Sequence, residues 1–235
     1  MNPPSIRGAE RVFRALLAHC LLIHPAPSVR AANGAGFLSP SFRGSADSES
    51  ALWTDFTDAN GGSNPPNGVA PGGGVLAGAS ITQDVPGIAF VTGGGNLYSF
   101  SGAMQFTLSY NPGFVGDVGM VVLQTETLGT ELDYGNVRLN YGLGAGSVSL
   151  STTRDELFRT PLGGFGGSAV GSKWEWDLFG LGVEDFTITF QAAGSSLSLD
   201  AVALDTVAVP EPAHAGLLAA GLLAGLVVLR RRRRN

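Results

Sequence analysis

Three acidic pairs carry the most evident acid–base chemistry of the chain: Asp155 with Glu156, Glu175 with Asp177, and Glu184 with Asp185. Two carboxylates flanking a glycosidic bond are what a glycoside-cleaving enzyme needs, one as acid and the other as base or nucleophile. Neighbours on a strand point to opposite faces, so Asp155/Glu156 and Glu184/Asp185 cannot easily meet one substrate. Glu175 and Asp177 do share a face, opposite Trp174 and Trp176, and the plainer reading of that face is that it is solvated. Nucleophilic triads of the Ser-His-Asp or Cys-His kind need a base. The chain has one cysteine, Cys20, and three histidines, His19, His24 and His214, all in the terminal segments. Residues 33–209 contain neither, which also removes zinc sites built on His or Cys.

Other motifs are weaker. Asp55-Phe56-Thr57-Asp58-Ala59-Asn60-Gly61 has the flavour of a calcium loop. With Gly61 in the sixth position, however, Phe56 falls first and Asn67 twelfth, where acids are required. A turn with Asx caps fits better. The glycine triplets at 72–74 and 93–95 lack the order of a nucleotide loop and no helical pattern follows them, so a phosphate cradle is not supported. Trp53, Trp174 and Trp176 admit two readings, a sugar-stacking platform or core. The shared parity of Trp174, Trp176 and Leu178 favours core.

Charge narrows the partners. Of 235 residues only 14% are charged, and the formal net charge of −5 is unevenly distributed. Residues 33–209 hold 17 acids against five bases (Arg43, Arg138, Arg154, Arg159 and Lys173), a net of −12. Such a surface repels nucleic acid and anionic lipid. With a single cysteine the chain is no disulfide scaffold.

The elements that must position these residues are strands. Met104, Phe106, Leu108 and Tyr110 alternate with polar residues, as do Val137, Leu139 and Tyr141, then Trp174, Trp176 and Leu178, then Phe186, Ile188 and Phe190. A period of two with one apolar face predicts half-buried strands. Turn signals such as Asn111-Pro112-Gly113 and Ala193-Gly194-Ser195 separate them. The expectation is an all-β domain over 75–207, an antiparallel β-sandwich. Residues 33–74, rich in Gly, Pro and Ser, read as a loop-laden lead.

The two ends read as addresses. Arg7, Arg11 and Arg14 precede a short apolar run, Ala15 to Ile23, and small residues follow, which is the pattern of a signal peptide over 1–32. An ordinary amphipathic helix is the other reading. At the far end, Pro210-Glu211-Pro212 precedes the uncharged run Ala213 to Leu229 and then Arg230, Arg231, Arg232, Arg233 and Arg234. Seventeen apolar residues make a helix of about 26 Å, short for a hydrocarbon core of roughly 30 Å. The arginines extend the reach by snorkelling and hold the C-terminus in the cytoplasm. A single transmembrane helix is expected there.

This three-part tail, 208–235, resembles the PEP-CTERM sorting signal. The resemblance implies export through the inner membrane of a Gram-negative bacterium and recognition near Pro210-Glu211-Pro212 by the membrane protease exosortase. It implies an anchored precursor and then a place on the cell surface or in the exopolysaccharide matrix. A plain membrane anchor is the competing reading. A second resemblance covers Ser195 to Thr206, whose aliphatic-Asp-x-Val-x-Leu pattern is similar to the closing strand of jelly-roll carbohydrate-binding modules. There it implies a jelly-roll-like sandwich and a structural Ca²⁺ helped by Asp200; a capping or solvent-facing Asp200 is the alternative. Leu197 and Leu199 share one parity and Val202 and Leu204 the other, so a β-bulge is expected at Asp200. The functional expectation is a non-enzymatic surface or matrix protein that binds carbohydrate or adheres, with exosortase and exopolysaccharide as partners. A secreted, carboxylate-dependent glycoside-acting enzyme is the alternative.

Overall fold

A computed structural model describes residues 34–73, 75–114, 116–142, 146–164 and 166–209. The segments read as a signal peptide, a sorting motif and a transmembrane helix, and the arginine cluster, lie outside these residues. Among the described residues no helix is long and apolar enough to cross a membrane.

The described chain is built from strands. In order they are β1 (Ser48–Trp53), β2 (Ser63–Asn64), β3 (Val75–Leu76), β4 (Ala79–Gln83), β5 (Ala89–Val91), β6 (Leu97–Ser99) and β7 (Gln105–Tyr110). They continue with β8 (Val118–Gly129), β9 (Arg138–Tyr141), β10 (Val148–Leu150), β11 (Arg154–Pro161), β12 (Ser168–Asp177), β13 (Phe186–Gln191) and β14 (Leu197–Ala208). A 3-10 turn spans Tyr134–Asn136. One sheet runs β11-β12-β8-β14-β1-β3, with the β5–β6 hairpin joined to β14 through β6. The other runs β10-β9-β13-β7-β4-β2. Every pairing is antiparallel except β1 with β3.

The alternation read from the sequence places the core. Phe106, Leu108 and Tyr110 of β7 are buried and stand opposite Phe190, Ile188 and Phe186 of β13. The ring pairs Phe106–Phe190 and Tyr110–Phe186 have centroids 4.9 and 4.8 Å apart, the spacing at which aromatic pairs gain beyond simple burial. Leu123 of β8, Trp174 of β12 and Leu204 of β14 meet them from the first sheet. Trp53, Trp174 and Trp176 are all buried, so the core reading of the tryptophans holds.

The lead is more than loop. Its residues 48–53 form β1, which lies inside the first sheet between β14 and β3. Alternation is hard to see in Ser-Glu-Ser-Ala-Leu-Trp because Glu49, a charged residue, takes an inward position. That position is satisfied: the Tyr110 hydroxyl donates to Glu49 Oε2 at 2.9 Å, and the Gly113 N–H donates to Oε1 at 2.8 Å. Tyr110 Oη also lies 2.7 Å from Thr206 Oγ1 on β14. One hydroxyl therefore joins the two sheets.

The stretch before β1 is a strap across the outer face of the first sheet. The Gly34 N–H donates to Glu126 Oε2 at 2.9 Å. Leu38 N–H donates to Gln124 Oε1 at 2.7 Å, and Gln124 Nε2 returns a bond to the Leu38 carbonyl at 2.8 Å. Arg43 closes the strap with a two-pronged ion pair to Asp205, Nε–Oδ1 at 2.5 Å and Nη2–Oδ2 at 2.6 Å. The same guanidinium donates to the Pro71 and Leu38 carbonyls. Further along, the Phe158 ring fills the space between Gly36 and Gly171, where a Cβ on either glycine would lie 2.3 Å from it. Under this cover the first eleven residues of β14 except Val207 are buried on both faces, as is most of β8.

Both Arg43 and Asp205 are shut away from water, and a buried pair that loses one partner leaves an uncompensated charge costing about 3–5 kcal/mol. Urea unfolding of Arg43→Met is therefore expected to show a loss of that order. The double variant Arg43→Met with Asp205→Leu should regain much of it. A single variant as stable as the wild type would remove the ion pair from its structural role.

Candidate functional site

Two of the three acidic pairs picked out by spacing, Asp155/Glu156 and Glu175/Asp177, are engaged at the surface. Lys173 Nζ lies 3.1 Å from Asp155 and 3.4 Å from Glu175. The hydrogen bond that Lys173 donates to Asp155 comes first in raising its ammonium above its ordinary range. Glu156 pairs with Arg154 and Arg159, each at 2.9 Å. Asp177 accepts the Phe179 N–H at 3.0 Å, a turn contact. Glu175 and Asp177 are exposed on the face opposite Trp174 and Trp176, as read from their parity. Glu184 and Asp185 are exposed in the turn before β13.

Asp200 lies on β14 where the register with β8 slips between Leu199 and Ala201, so the expected bulge is present. It is 3% exposed, which excludes the solvent-facing reading. Among the described residues no group of three or more His, Cys, Asp or Glu is placed to hold a metal ion. A Ca²⁺ at Asp200 would have to draw the rest of its six to eight oxygens from backbone carbonyls and water.

Two places on the surface are shaped to receive something. The first is a cleft of about 230 Å³ between the strap at Leu38–Phe42 and the outer face of β8 and β12. Met120 and Val122 line it, with Lys173 and Glu175 at its side. It is below the roughly 300–1,000 Å³ of ordinary ligand pockets, and its two charged groups are already engaged with each other.

The second is an aromatic platform that spacing did not reveal. Phe90 on β5 stands opposite Tyr98 on β6, and Phe100 follows two residues later on the same side. Phe90 is 44% and Phe100 68% exposed. The Phe90 and Phe100 rings are stacked, centroids 5.6 Å apart with planes 26° from parallel. Tyr98 meets both edge-on at 5.7 and 4.5 Å. Leu97 and Ser99, of opposite parity, are buried and pin the hairpin to the core. β6 is paired to β14 at Ser198 and Leu199. Asn96 bonds to both Thr92 and Ser198. The Phe56 N–H donates to the Gly95 carbonyl at 2.7 Å, fixing the turn. The platform is thus a rigid cluster of three rings held proud of the sheet. The negative ring faces suit the weakly positive C–H bonds of a sugar face. Single exposed apolar residues are ordinary, whereas a contiguous aromatic patch marks a contact surface. Sequence parity divides Leu97/Ser99 from Tyr98/Phe100 but does not say which set faces in; the pairing of β6 to β14 decides it.

No protein-family model matches the chain, and no curated protein matches it.

Away from the platform, Arg159 bridges Glu131 and Glu156, and Arg154 lies 3.8 Å above the Tyr134 ring centre. The Arg159 hydrogen bonds hold the Glu131 carboxyl down at about 2, against an ordinary 4.5. Burial, then the bond to Glu131, pushes Tyr134 up to about 12. A carboxyl lowered in the folded state stabilises the fold above its unfolded pKa, and that contribution is lost as pH falls toward the folded pKa. Acid titration should therefore show stability declining between about pH 4.5 and 2. Arg159→Met should flatten that segment of the profile; an unchanged profile would remove the bridge as its source.

Proposed function

We propose that this chain is an exported protein, sorted by exosortase, that serves at the cell surface or in the exopolysaccharide matrix, where its β-sandwich binds carbohydrate without cleaving it. The observation that carries the binding half is the platform of Phe90, Tyr98 and Phe100. A non-catalytic role is supported by the engagement of Asp155, Glu156, Glu175 and Asp177 in ion pairs and a turn. Support for the sandwich type comes from the strand order. The runs β1-β14-β8-β12 and β7-β13-β9-β10 interleave in the chain as two Greek keys, the arrangement of jelly rolls that serve as lectin domains.

The sorting half rests on Pro210-Glu211-Pro212, the apolar span and Arg230–Arg234. In this reading the precursor is held in the inner membrane with its arginines in the cytoplasm. The −12 charge of residues 33–209 favours neutral or amino-bearing polymers over acidic ones.

Affinity electrophoresis through gels cast with the host's own exopolysaccharide tests the binding. Phe90→Ala with Phe100→Ala removes two exposed rings, each worth about 0.5–1.5 kcal/mol in contact. Retention should weaken roughly tenfold or more, with stability changed by no more than about 0.5 kcal/mol, as for surface positions. Equal retention by wild type and variant would refute the platform as the binding surface.

A further inference from the structure

The described chain ends at Val209, and its last residues are fastened into the sandwich. The Ala208 N–H donates to the Asp47 carbonyl at 2.9 Å, and the Val209 N–H to the Asp117 carbonyl at 2.7 Å. Beside Asp117, the Val118 N–H donates to the Val183 carbonyl at 2.6 Å. The Leu178 N–H donates to the Gly119 carbonyl at 2.8 Å. The loop Leu178–Val183 is therefore laced to the point where the chain leaves the fold. On that loop Phe179 is 47% and Leu181 45% exposed, two large apolar side chains with no part in the core.

Only Pro210, Glu211 and Pro212 separate Val209 from the apolar run that begins at Ala213. Four residue steps reach at most about 14 Å even fully extended. The interfacial layer on each side of a bilayer is itself about 5–7 Å deep. If the run spans the membrane, as the proposed sorting role holds, the tip of the sandwich cannot stand clear of the surface. We propose that Phe179 and Leu181 seat the precursor on the headgroup layer of the membrane its own tail crosses, the occupant being a zwitterionic lipid surface. Two apolar side chains bind lipid too weakly to act from solution. The tether changes this by making the contact intramolecular at an effective concentration of about millimolar. Aromatic and leucine side chains suit the interface, where their apolar bodies sit at headgroup depth. The carboxylates around the tip, Asp117, Asp177, Glu184 and Asp185, oppose anionic lipid and favour a zwitterionic layer. The seating would hold Pro210-Glu211-Pro212 at a fixed height over the membrane.

The test is the full chain bearing Phe179→Trp, reconstituted into phosphatidylcholine vesicles with bromine placed shallow on the acyl chains. The native tryptophans are buried and give an unquenched background. Fluorescence of the added tryptophan should fall by at least half relative to unbrominated vesicles. A 20-residue Gly/Ser insertion between Val209 and Pro210 should weaken the quenching, since effective concentration falls with linker length. If the chain resists carbonate extraction yet shows no quenching, or if the insertion leaves quenching intact, the seating is refuted while the membrane span stands. If carbonate strips the chain from the vesicles, the span itself is refuted and the seating with it.

Discussion

The ion pair between Arg43 and Asp205 decides how the first sheet meets water. It joins residues 162 positions apart and fastens the strap over β14 and β8. Without the strap, Gln124, Glu126 and Asp205 would stand on an open sheet face. With it, each of these three has a backbone or guanidinium partner, so they are buried without being left unsatisfied. Desolvation of Asp205 pushes its carboxyl upward, and the guanidinium at 2.5 Å opposes that push.

What lies outside the strap is divided between guarded and presented surface. The edge strand β11 carries charges, a bulge between Glu156 and Phe158, and a closing Pro161, the devices by which sheet edges resist pairing with other chains. Its arginines are drawn into the network with Glu131 and Glu156. The β5–β6 hairpin does the opposite. Leu97 anchors it from beneath and the three rings stand above, a preorganised surface on a fixed backbone. Binding to such a surface would lose little conformational entropy, which suits a small patch to the proposed role.

The strands of the second sheet were legible because each obeys a strict alternation: 104–110 and 186–190 pair in the register their apolar faces demand. The bulge at Asp200 was legible for the same reason, as a parity switch within one strand. β1 was hidden because its inward Glu49 breaks the alternation and is paid for only by partners on β7 and the loop after it. The strap was hidden because its meaning resides in Arg43 reaching Asp205, a contact no local pattern encodes. The platform was hidden for a different reason. Alternation separates the two faces of β6 but leaves open which is wet, and the tryptophans, the more conspicuous aromatics, prove to be core. Glu175 and Asp177 were correctly placed on a solvated face by parity alone.

The central claim is that this sandwich is delivered to the cell surface by processing at its tail. Intact mass of the mature protein, isolated from a host that makes exosortase, tests it most directly. The account predicts a C-terminus at or near Pro210-Glu211-Pro212, with Ala213 to Asn235 removed. A mature protein that still carries those residues would contradict it and leave the tail an ordinary membrane anchor.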